Sequence, residues 1–153
     1  MSDYWSKVEP YWDDCPTDDP AAYMLFYGSM PRVSRDLLTT HWVYSEICNG
    51  GFHQLFTNPT GVLVPEAISG FDSMGLSELG AIVWEASSFF GDNYPREQAI
   101  RIQALDQYAA RSRNPDDWNP FEQLDDRFYS ALEPVVGIDA YVSRANAYAS
   151  GDE

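Results

Sequence analysis

The chain has 153 residues, the size of one ordinary domain. It carries 24 acidic residues against 9 basic ones, a formal net charge of −15 at pH 7, which argues against direct binding to nucleic acid because phosphates would be repelled. Five Trp, ten Tyr and eight Phe residues are more aromatic side chains than disordered acidic chains contain, so we expect this chain to fold.

The amino-terminal sequence MSDYWSKVEP has neither the basic nor the apolar region of a signal peptide. No apolar run approaches the roughly 18 residues of a transmembrane helix. Cys15 and Cys48 are too few for a disulfide framework. We therefore expect a soluble cytoplasmic protein that does not bind membranes.

Helical patterns punctuated by proline dominate the chain. At the amino terminus Tyr4, Val8 and Tyr11 have helical spacing, but Pro10 interrupts them. The best strand candidate, TGVLV at 60–64, is short and is also compatible with a loop. Further helices are predicted near residues 20–29, 33–48, 51–57, 65–74, 76–90, 95–113, 120–133 and 138–149. The pattern predicts an all-α fold, a compact single-domain bundle of about seven to nine short helices.

Three helices are predicted to begin where an Asp or Asn residue precedes proline, a pairing that favours the first turn. The pairs are Asp19–Pro20, Asn114–Pro115 and Asn119–Pro120. Glu122 would then stand at the third position of the last of these helices, where it completes a capping box.

The helix at 95–113 shows the clearest amphipathic pattern. Ile102, Leu105 and Ala109 fall on one stripe, which predicts the buried face. Glu97 precedes Arg101 by four residues, the spacing of an ion pair on a helix surface.

The segment EICNGGFHQLFTNPTG at 46–61 combines features of a ligand loop with those of a structural corner. Helix 33–48 would end at Asn49–Gly50, where left-handed backbone angles are easily adopted. A new helix would then bring Phe52, Leu55 and Phe56 together in the core, and Asn58–Pro59–Thr60–Gly61 would close the unit as a turn. The pattern favours a helix-corner-helix unit in which Asn49, Gln54 and Asn58 satisfy helix ends.

Two other interpretations of this segment remain open. His41, Cys48 and His53 could bind a metal, although their spacing matches no standard zinc pattern. The Gly50–Gly51 backbone could bind an anion at the helix start, and Asn49, Gln54 and His53 would then converge on a pocket. The sequence contains no catalytic signature, so we expect no catalytic residue, no metal and no cofactor, and His41 is expected to be a core or boundary residue.

The segment resembles the signature of the DMP-type (DNA-mimic protein) domain, a bacterial all-helical family. The residues that carry the likeness are Glu46, Asn49, Gly50, Gly51, Phe52, Gln54, Phe56, Asn58 and Gly61. The likeness continues through AISGFDSMGL, a helix that ends in a glycine turn, and more weakly to LDDRFYSALE, so it covers about residues 33–133. Leu55 stands where family members more often carry an aromatic residue.

The resemblance implies an all-α domain at residues 33–150, preceded by an acidic and aromatic helical segment at 1–32, the two forming one compact domain. It also implies that the protein mimics DNA. Such a protein occupies the DNA-binding surface of a basic protein, with a helix-turn-helix transcriptional regulator favoured as partner, and blocks its binding to DNA.

The acidic residues are bunched in a way that suits this role. The candidate partner-binding patch consists of Asp13, Asp14, Asp18, Asp19, Asp116, Asp117, Glu122, Asp125 and Asp126. Helix capping could explain the two doublets beside Pro20 and Pro115, whereas Asp125 and Asp126 are predicted to be mid-helix. Changing Asp125 and Asp126 to Asn is therefore expected to weaken partner binding without unfolding the protein.

Two rival functions use the same features differently. An acidic immunity protein that neutralises a basic nuclease toxin would need the same charge, and a small-ligand or enzyme domain would use the NGGF corner. A homodimer through the aromatic amino-terminal helix, with Trp5 and Trp12 seven residues apart, would lengthen the acidic surface.

Overall fold

A computed structural model describes residues 3–133 and 138–151. These residues form eight α-helices and no β-strand, so the predicted compact all-α fold is confirmed. Short 3₁₀ turns at Pro59–Leu63 and Ser88–Phe90 precede α4 and follow α5. No helix of the described part is long and apolar enough to span a bilayer. The helices are α1 (Trp5–Trp12), α2 (Pro20–Ser29), α3 (Arg32–Thr57), α4 (Val64–Ser73), α5 (Ser77–Ser87), α6 (Gln98–Arg111), α7 (Glu122–Ala131) and α8 (Ala140–Ala149).

Helix α3 is the centre of the fold, because it contacts α1, α4, α6, α7 and α8. Its second half directs Phe52, Leu55 and Phe56 into the core, where all three are fully buried as predicted. Phe52 and Phe56 pack against Phe121, with ring centroids 6.3 and 5.1 Å away. Each such burial stabilises the fold by roughly 1.5–3 kcal/mol.

Helix α1 continues through Pro10, so the predicted interruption is wrong. Pro10 removes one backbone donor, but Val8 is fully buried and Tyr4 nearly so, and these anchors hold the helix on the bundle. Trp5 and Trp12 pack against the His41 ring at 5.2 and 5.4 Å, which is an internal use of the aromatic pair.

The three predicted helix starts have different outcomes in the structure. Asp19 caps α2 through its carboxylate, which accepts hydrogen bonds from the backbone N–H groups of Ala21 and Ala22 at 3.0 and 3.2 Å. No helix begins at Asn114, so that prediction is wrong: Asn114 instead closes a turn, accepting from Asp116 N at 3.1 Å and Asp117 N at 2.9 Å. Asn119 accepts from Phe121 N at 2.9 Å, but α7 begins at Glu122, so the predicted start at Pro120 and the capping box with Glu122 at the third position are wrong.

The candidate strand at 60–64 is a 3₁₀ turn that runs into α4. Helix α4 then ends at the glycine turn that the resemblance implies. Gly75 has φ +78, a left-handed angle that glycine tolerates, and Leu76 N donates to Phe71 O at 2.8 Å. This turn sends α5 back along α4, and Gly80 lets the two helices approach closely, since an added Cβ there would lie 3.2 Å from Phe71 Cβ.

Candidate functional site

The segment at 46–61 is a corner within α3, as predicted, but the left-handed residue is Gly51 rather than Asn49 or Gly50. Backbone angles leave the helix at Gly50 (φ −153, ψ 17) and Gly51 (φ 77, ψ −175). The Gly51 conformation belongs to a region that only glycine populates readily. A Cβ at Gly51 would also lie 2.7 Å from Asp125 Oδ2, so another element presses on the corner.

That element is α7, whose Asp125 closes the corner. Phe52 N, at the start of the second half of α3, donates to Asp125 Oδ1 at 2.8 Å. Asp125 lies in the first turn of α7, so its predicted mid-helix position is wrong. Burial raises the pKa of this carboxyl, and the nearby Asp126 and Glu122 charges add to the rise, although the bond from Phe52 N opposes it.

Helix starts bind anions because their N–H groups are unpaired and the helix dipole favours negative charge. The anion-binding interpretation of Gly50–Gly51 therefore describes a real property of this backbone. In the folded chain the anion is the Asp125 carboxylate itself, so the helix start is already occupied.

Glu46 ties the two halves of α3 together. One of its carboxylate oxygens accepts from Asn58 Nδ2 at 2.6 Å and from Gln54 Nε2 at 3.4 Å. Asn58 and Gln54 are thus used across the corner rather than at helix ends, while Asn49 is exposed. Glu46, the acidic residue of the signature, therefore has a structural role in linking the two halves of α3.

The far end of α3 is held by Arg101 of α6, a residue whose role the sequence did not reveal. Arg101 is 0% exposed and donates to four backbone carbonyls, at distances between 2.6 and 3.1 Å; the acceptors are Phe56, Asn58, Pro95 and Arg96. The predicted surface pairing with Glu97 is therefore wrong. Gly61 makes room for the guanidinium, since a Cβ there would lie 2.7 Å from Arg101 Nε.

Arg101 could have been found from its place on the helix. It stands four residues before Leu105, so the two share a face, and both are buried, whereas Ala109 of the predicted stripe is exposed. We use the name corner unit for residues 46–61 together with Asp125 and Arg101.

The two histidines have separate partners. His41 Nδ1 and the Tyr4 hydroxyl are 2.7 Å apart, and burial lowers the pKa of His41, which fits the predicted boundary role. His53 packs edge-on against Trp118 at 4.7 Å. Within the described residues no three His, Cys, Asp or Glu side chains are grouped as metal ligands would be.

The exposed charge is somewhat more one-sided than composition suggests, because four of the nine basic residues but only five of the 22 described acidic residues are buried or half-buried. Arg101 is buried, Arg96 forms a bidentate pair with Glu66, Arg144 donates to Met74 O, and Arg35 lies over the Tyr27 ring. The exposed basic residues are Lys7, Arg32, Arg111, Arg113 and Arg127. Among residues 3–133 and 138–151, seventeen acidic residues are exposed: Asp3, Glu9, Asp13, Asp14, Asp18, Asp19, Asp72, Glu78, Glu85, Asp92, Glu97, Asp106, Asp116, Asp117, Glu122, Asp126 and Glu133.

Eight of the nine predicted patch residues lie on two segments of the chain. Asp13, Asp14, Asp18 and Asp19 lie in the connection between α1 and α2, and all are exposed, with Asp19 used as the α2 cap. Asp116 and Asp117 lie on residues 112–121, here named the acidic loop, and Glu122 and Asp126 lie at the start of α7. Asp125 points to the corner unit instead.

The carboxylates of Asp116 and Asp117 accept none of the hydrogen bonds formed within residues 3–133 and 138–151; only their backbone groups are bonded. Asp126 shares a shallow depression with Glu78 of α5, a residue that the sequence did not associate with the patch. Arg127, which pairs with Glu85 at 2.8 Å, lines the same depression.

A family model with the description DMP19-like protein matches residues 28–148. No curated protein and no solved structure shows a significant match to the chain. The matched range contains the whole corner unit and the acidic loop, whereas α1 lies outside it.

Proposed function

We propose, since the chain belongs to the DMP19-like protein family, that it is an acidic DNA mimic which binds the DNA-binding surface of a basic protein and blocks its access to DNA. The family is the one whose signature the NGGF segment resembles. A transcriptional regulator with a helix-turn-helix domain is the partner that this resemblance favours.

The observation that carries the proposal is the excess of exposed carboxylates, which in the part of the chain that the structure describes number seventeen against five exposed basic residues. A domain of this length has a diameter on the order of 38 Å, from its expected radius of gyration. Duplex DNA of that length carries about 22 phosphates. The exposed carboxylates are of the same order, so a surface made for phosphates would find a comparable charge here.

We place the centre of the binding surface at Asp116, Asp117, Glu122 and Asp126. These side chains are exposed, and Glu78 of α5 lines the same depression as Asp126, together with Arg127, which pairs with Glu85. Asp125 is left out because its carboxylate is bonded to Phe52 N. Binding through such a surface is fast, is steered at long range and weakens steeply as salt rises.

Two charge-matched triple variants test this placement. In the acidic-loop variant, Asp116, Asp117 and Asp126 are changed to Asn; in the amino-side variant, Asp13, Asp14 and Asp18 are changed to Asn. Both variants lose the same net charge and leave the Asp19 cap and the Asp125 bond intact.

The experiment captures partners of the tagged wild-type protein from a lysate of its host, releases them with rising salt and identifies them. Each captured DNA-binding protein is then bound to a fluorescent DNA duplex and displaced with wild type or variant. We expect wild type to release the DNA and the acidic-loop variant to need at least about 10-fold more protein, as for loss of hot-spot charges.

The outcomes separate the possibilities. Capture of a nuclease whose activity is neutralised, without any protein displaced from DNA, would move the function to immunity. Equal losses in both triple variants would support mimicry by overall charge but contradict the placement at the acidic loop. Wild type that displaces no captured protein from DNA would overturn the proposal.

A further inference from the structure

Trp84 is an exposed aromatic residue on α5. Its side chain is 61% exposed, and no contact within the described residues requires an indole there. A groove lies on each side of it. The first, about 470 Å³, runs past Val64, Pro65 and Tyr94; the second, about 400 Å³, runs between α4 and α5. A large aromatic side chain that is left exposed between two grooves does not gain the stabilisation that burial would provide. Burial against a partner is a physical reason for this exposure.

The grooves are lined mainly by apolar and small polar residues. Along the outer face of α5, Trp84 is flanked by Ala81 and Ser88, one turn before and after it. The charged residues that line the grooves are both acidic: Asp92 in the first groove and Asp72 in the second, where one Asp72 oxygen accepts from Ser77 Oγ at 2.8 Å and leaves the other for a partner. An apolar shelf with a carboxylate on either side is complementary to a group that combines a flat apolar face with positive charge.

We infer that Trp84 is an anchor for an arginine side chain of the basic partner, with the guanidinium stacked on the indole and held by Asp72 or Asp92. Arginine fits because its planar cation stacks on aromatic rings and bonds carboxylates, whereas lysine presents a point charge. The inference rests on the proposed function and adds to it a specific contact that survives when salt screens the long-range attraction.

The test uses the whole protein labelled with ¹⁵N, and the probe is a helical peptide with Arg and Leu on one face. A second peptide has Lys in place of Arg at equal charge. The Trp84 indole signal is identified by its absence in Trp84→Leu, and circular dichroism checks that this variant keeps its helices. Leu25→Ala is the matched control, because Leu25 is an exposed apolar residue on α2.

We expect the Arg peptide to shift the Trp84 indole signal more than the other four Trp signals. Affinity should fall about 10-fold in Trp84→Leu, the effect of losing an aromatic anchor, and stay within 2-fold in Leu25→Ala. The Lys peptide should bind several-fold more weakly. Equal shifts of all indoles, or unchanged affinity in Trp84→Leu, would overturn the inference.

The two aspartates are tested with a charge-matched pair of double variants. Asp72→Asn with Asp92→Asn should weaken the Arg peptide at least 5-fold, whereas Glu9→Gln with Asp106→Asn, two exposed acids elsewhere, should weaken it less than 2-fold. Equal weakening in both pairs would mean that only overall charge acts, and would overturn the anchor.

The same preparation separates this inference from the proposed function. If wild type displaces a captured protein from DNA and Trp84→Leu does so equally well at 0.1 and 0.5 M salt, mimicry stands and the anchor fails. If Trp84 binds the Arg peptide but nothing is displaced from DNA, the anchor stands and mimicry fails. A Trp84 signal that depends on protein concentration without peptide would show a second copy on the grooves and overturn the inference.

Discussion

The corner unit and the acidic loop are both rich in carboxylates and amides, yet they use them in opposite ways. In the corner unit Glu46 and Asp125 are half-buried and accept hydrogen bonds from the chain itself. In the acidic loop Asp116 and Asp117 are exposed, and only their backbone groups are bonded. An acid whose lone pairs are satisfied internally supports the fold, whereas an acid that only water satisfies is free for a partner.

The comparison also reverses an interpretation made from sequence. Proline beside Asp116 and Asp117 suggests helix capping, while Asp125 and Asp126 look like the unexplained pair. In the fold no helix starts at Asn114, and Asp125 binds the helix start of another element. Asp116 and Asp117, which the sequence suggested were structural, have carboxylates that no hydrogen bond of the described residues uses. Asp125, one of the two residues that seemed functional, instead has a structural role.

Among the changes that test the contrast between the corner unit and the acidic loop, a change at Arg101 is expected to have the largest effect on stability. Arg101→Met keeps the length and apolar stem of the side chain but removes a donor from four carbonyls, of which Asn58 O keeps a second bond, from Gly61 N. We expect a loss of about 4 kcal/mol in the free energy of unfolding, from several unsatisfied buried acceptors, measured by urea denaturation. Arg113→Met, at an exposed site, should change it by less than about 0.5 kcal/mol; similar small losses in both would contradict the clamp.

The next largest effect concerns the backbone of the corner. Gly51→Ala forces a side chain into a glycine-only conformation and against Asp125, so we expect a loss of about 3 kcal/mol. Gly28→Ala is the control, because an added Cβ there meets nothing within 4 Å inside α2, and we expect it to stabilise by about 0.5–1 kcal/mol. Equal thermal midpoints of the two variants would show that the corner is not strained.

Asp125 gives a smaller effect that depends on chemistry. Asp125→Ala removes the acceptor for Phe52 N and should cost about 1–2 kcal/mol, as for other helix caps. Asp125→Asn keeps an acceptor oxygen and should stay close to wild type, and Asp126→Asn should match it in stability. If Asp125→Ala were as stable as Asp126→Asn in the same denaturant titration, Asp125 would have no part in the corner.

The pH dependence of Asp125 has a defined sign. The pKa of Asp125 is higher in the folded than in the unfolded chain. Between these two pKa values the folded chain therefore binds more protons than the unfolded chain. The free energy of unfolding consequently falls as pH rises through the folded pKa. Compared with Asp125→Asn, wild type should therefore gain stability as pH is lowered from neutrality through that pKa. A gain in the opposite direction across urea titrations at several pH values would contradict the burial of this carboxyl.

The smallest effect is expected in the acidic loop. Asp116→Asn together with Asp117→Asn removes two exposed charges that lack an internal acceptor role, so the free energy of unfolding should change by less than about 0.5 kcal/mol. Calorimetry at low and high salt checks this: any difference from wild type should shrink as salt screens the repulsion. A marked destabilisation would show that these carboxylates hold the loop, and the contrast with the corner unit would disappear.

Local structure could be predicted from the sequence where residues adjacent in the chain determine it. Asp19 before Pro20 predicted a capped helix, and Asn49–Gly50–Gly51 predicted the break in α3, because both depend on a few adjacent backbone angles and donors. The same logic failed at Asn114, where the sequence pattern of a cap is satisfied by a turn that Ser112 and Asn114 close. Capping residues also favour turns, and only the rest of the fold chooses between them.

The sequence by itself determined the all-helical class, the corner in α3 and the excess of negative charge, because periodicity, glycine placement and composition are properties of the chain. The tertiary structure decided which charges remain available. It took Arg101 into the core to satisfy the end of α3 and brought Asp125 to Phe52 N from 73 residues away. Such pairings follow from how α6 and α7 pack on α3, because a buried polar group must find its partner wherever packing places one.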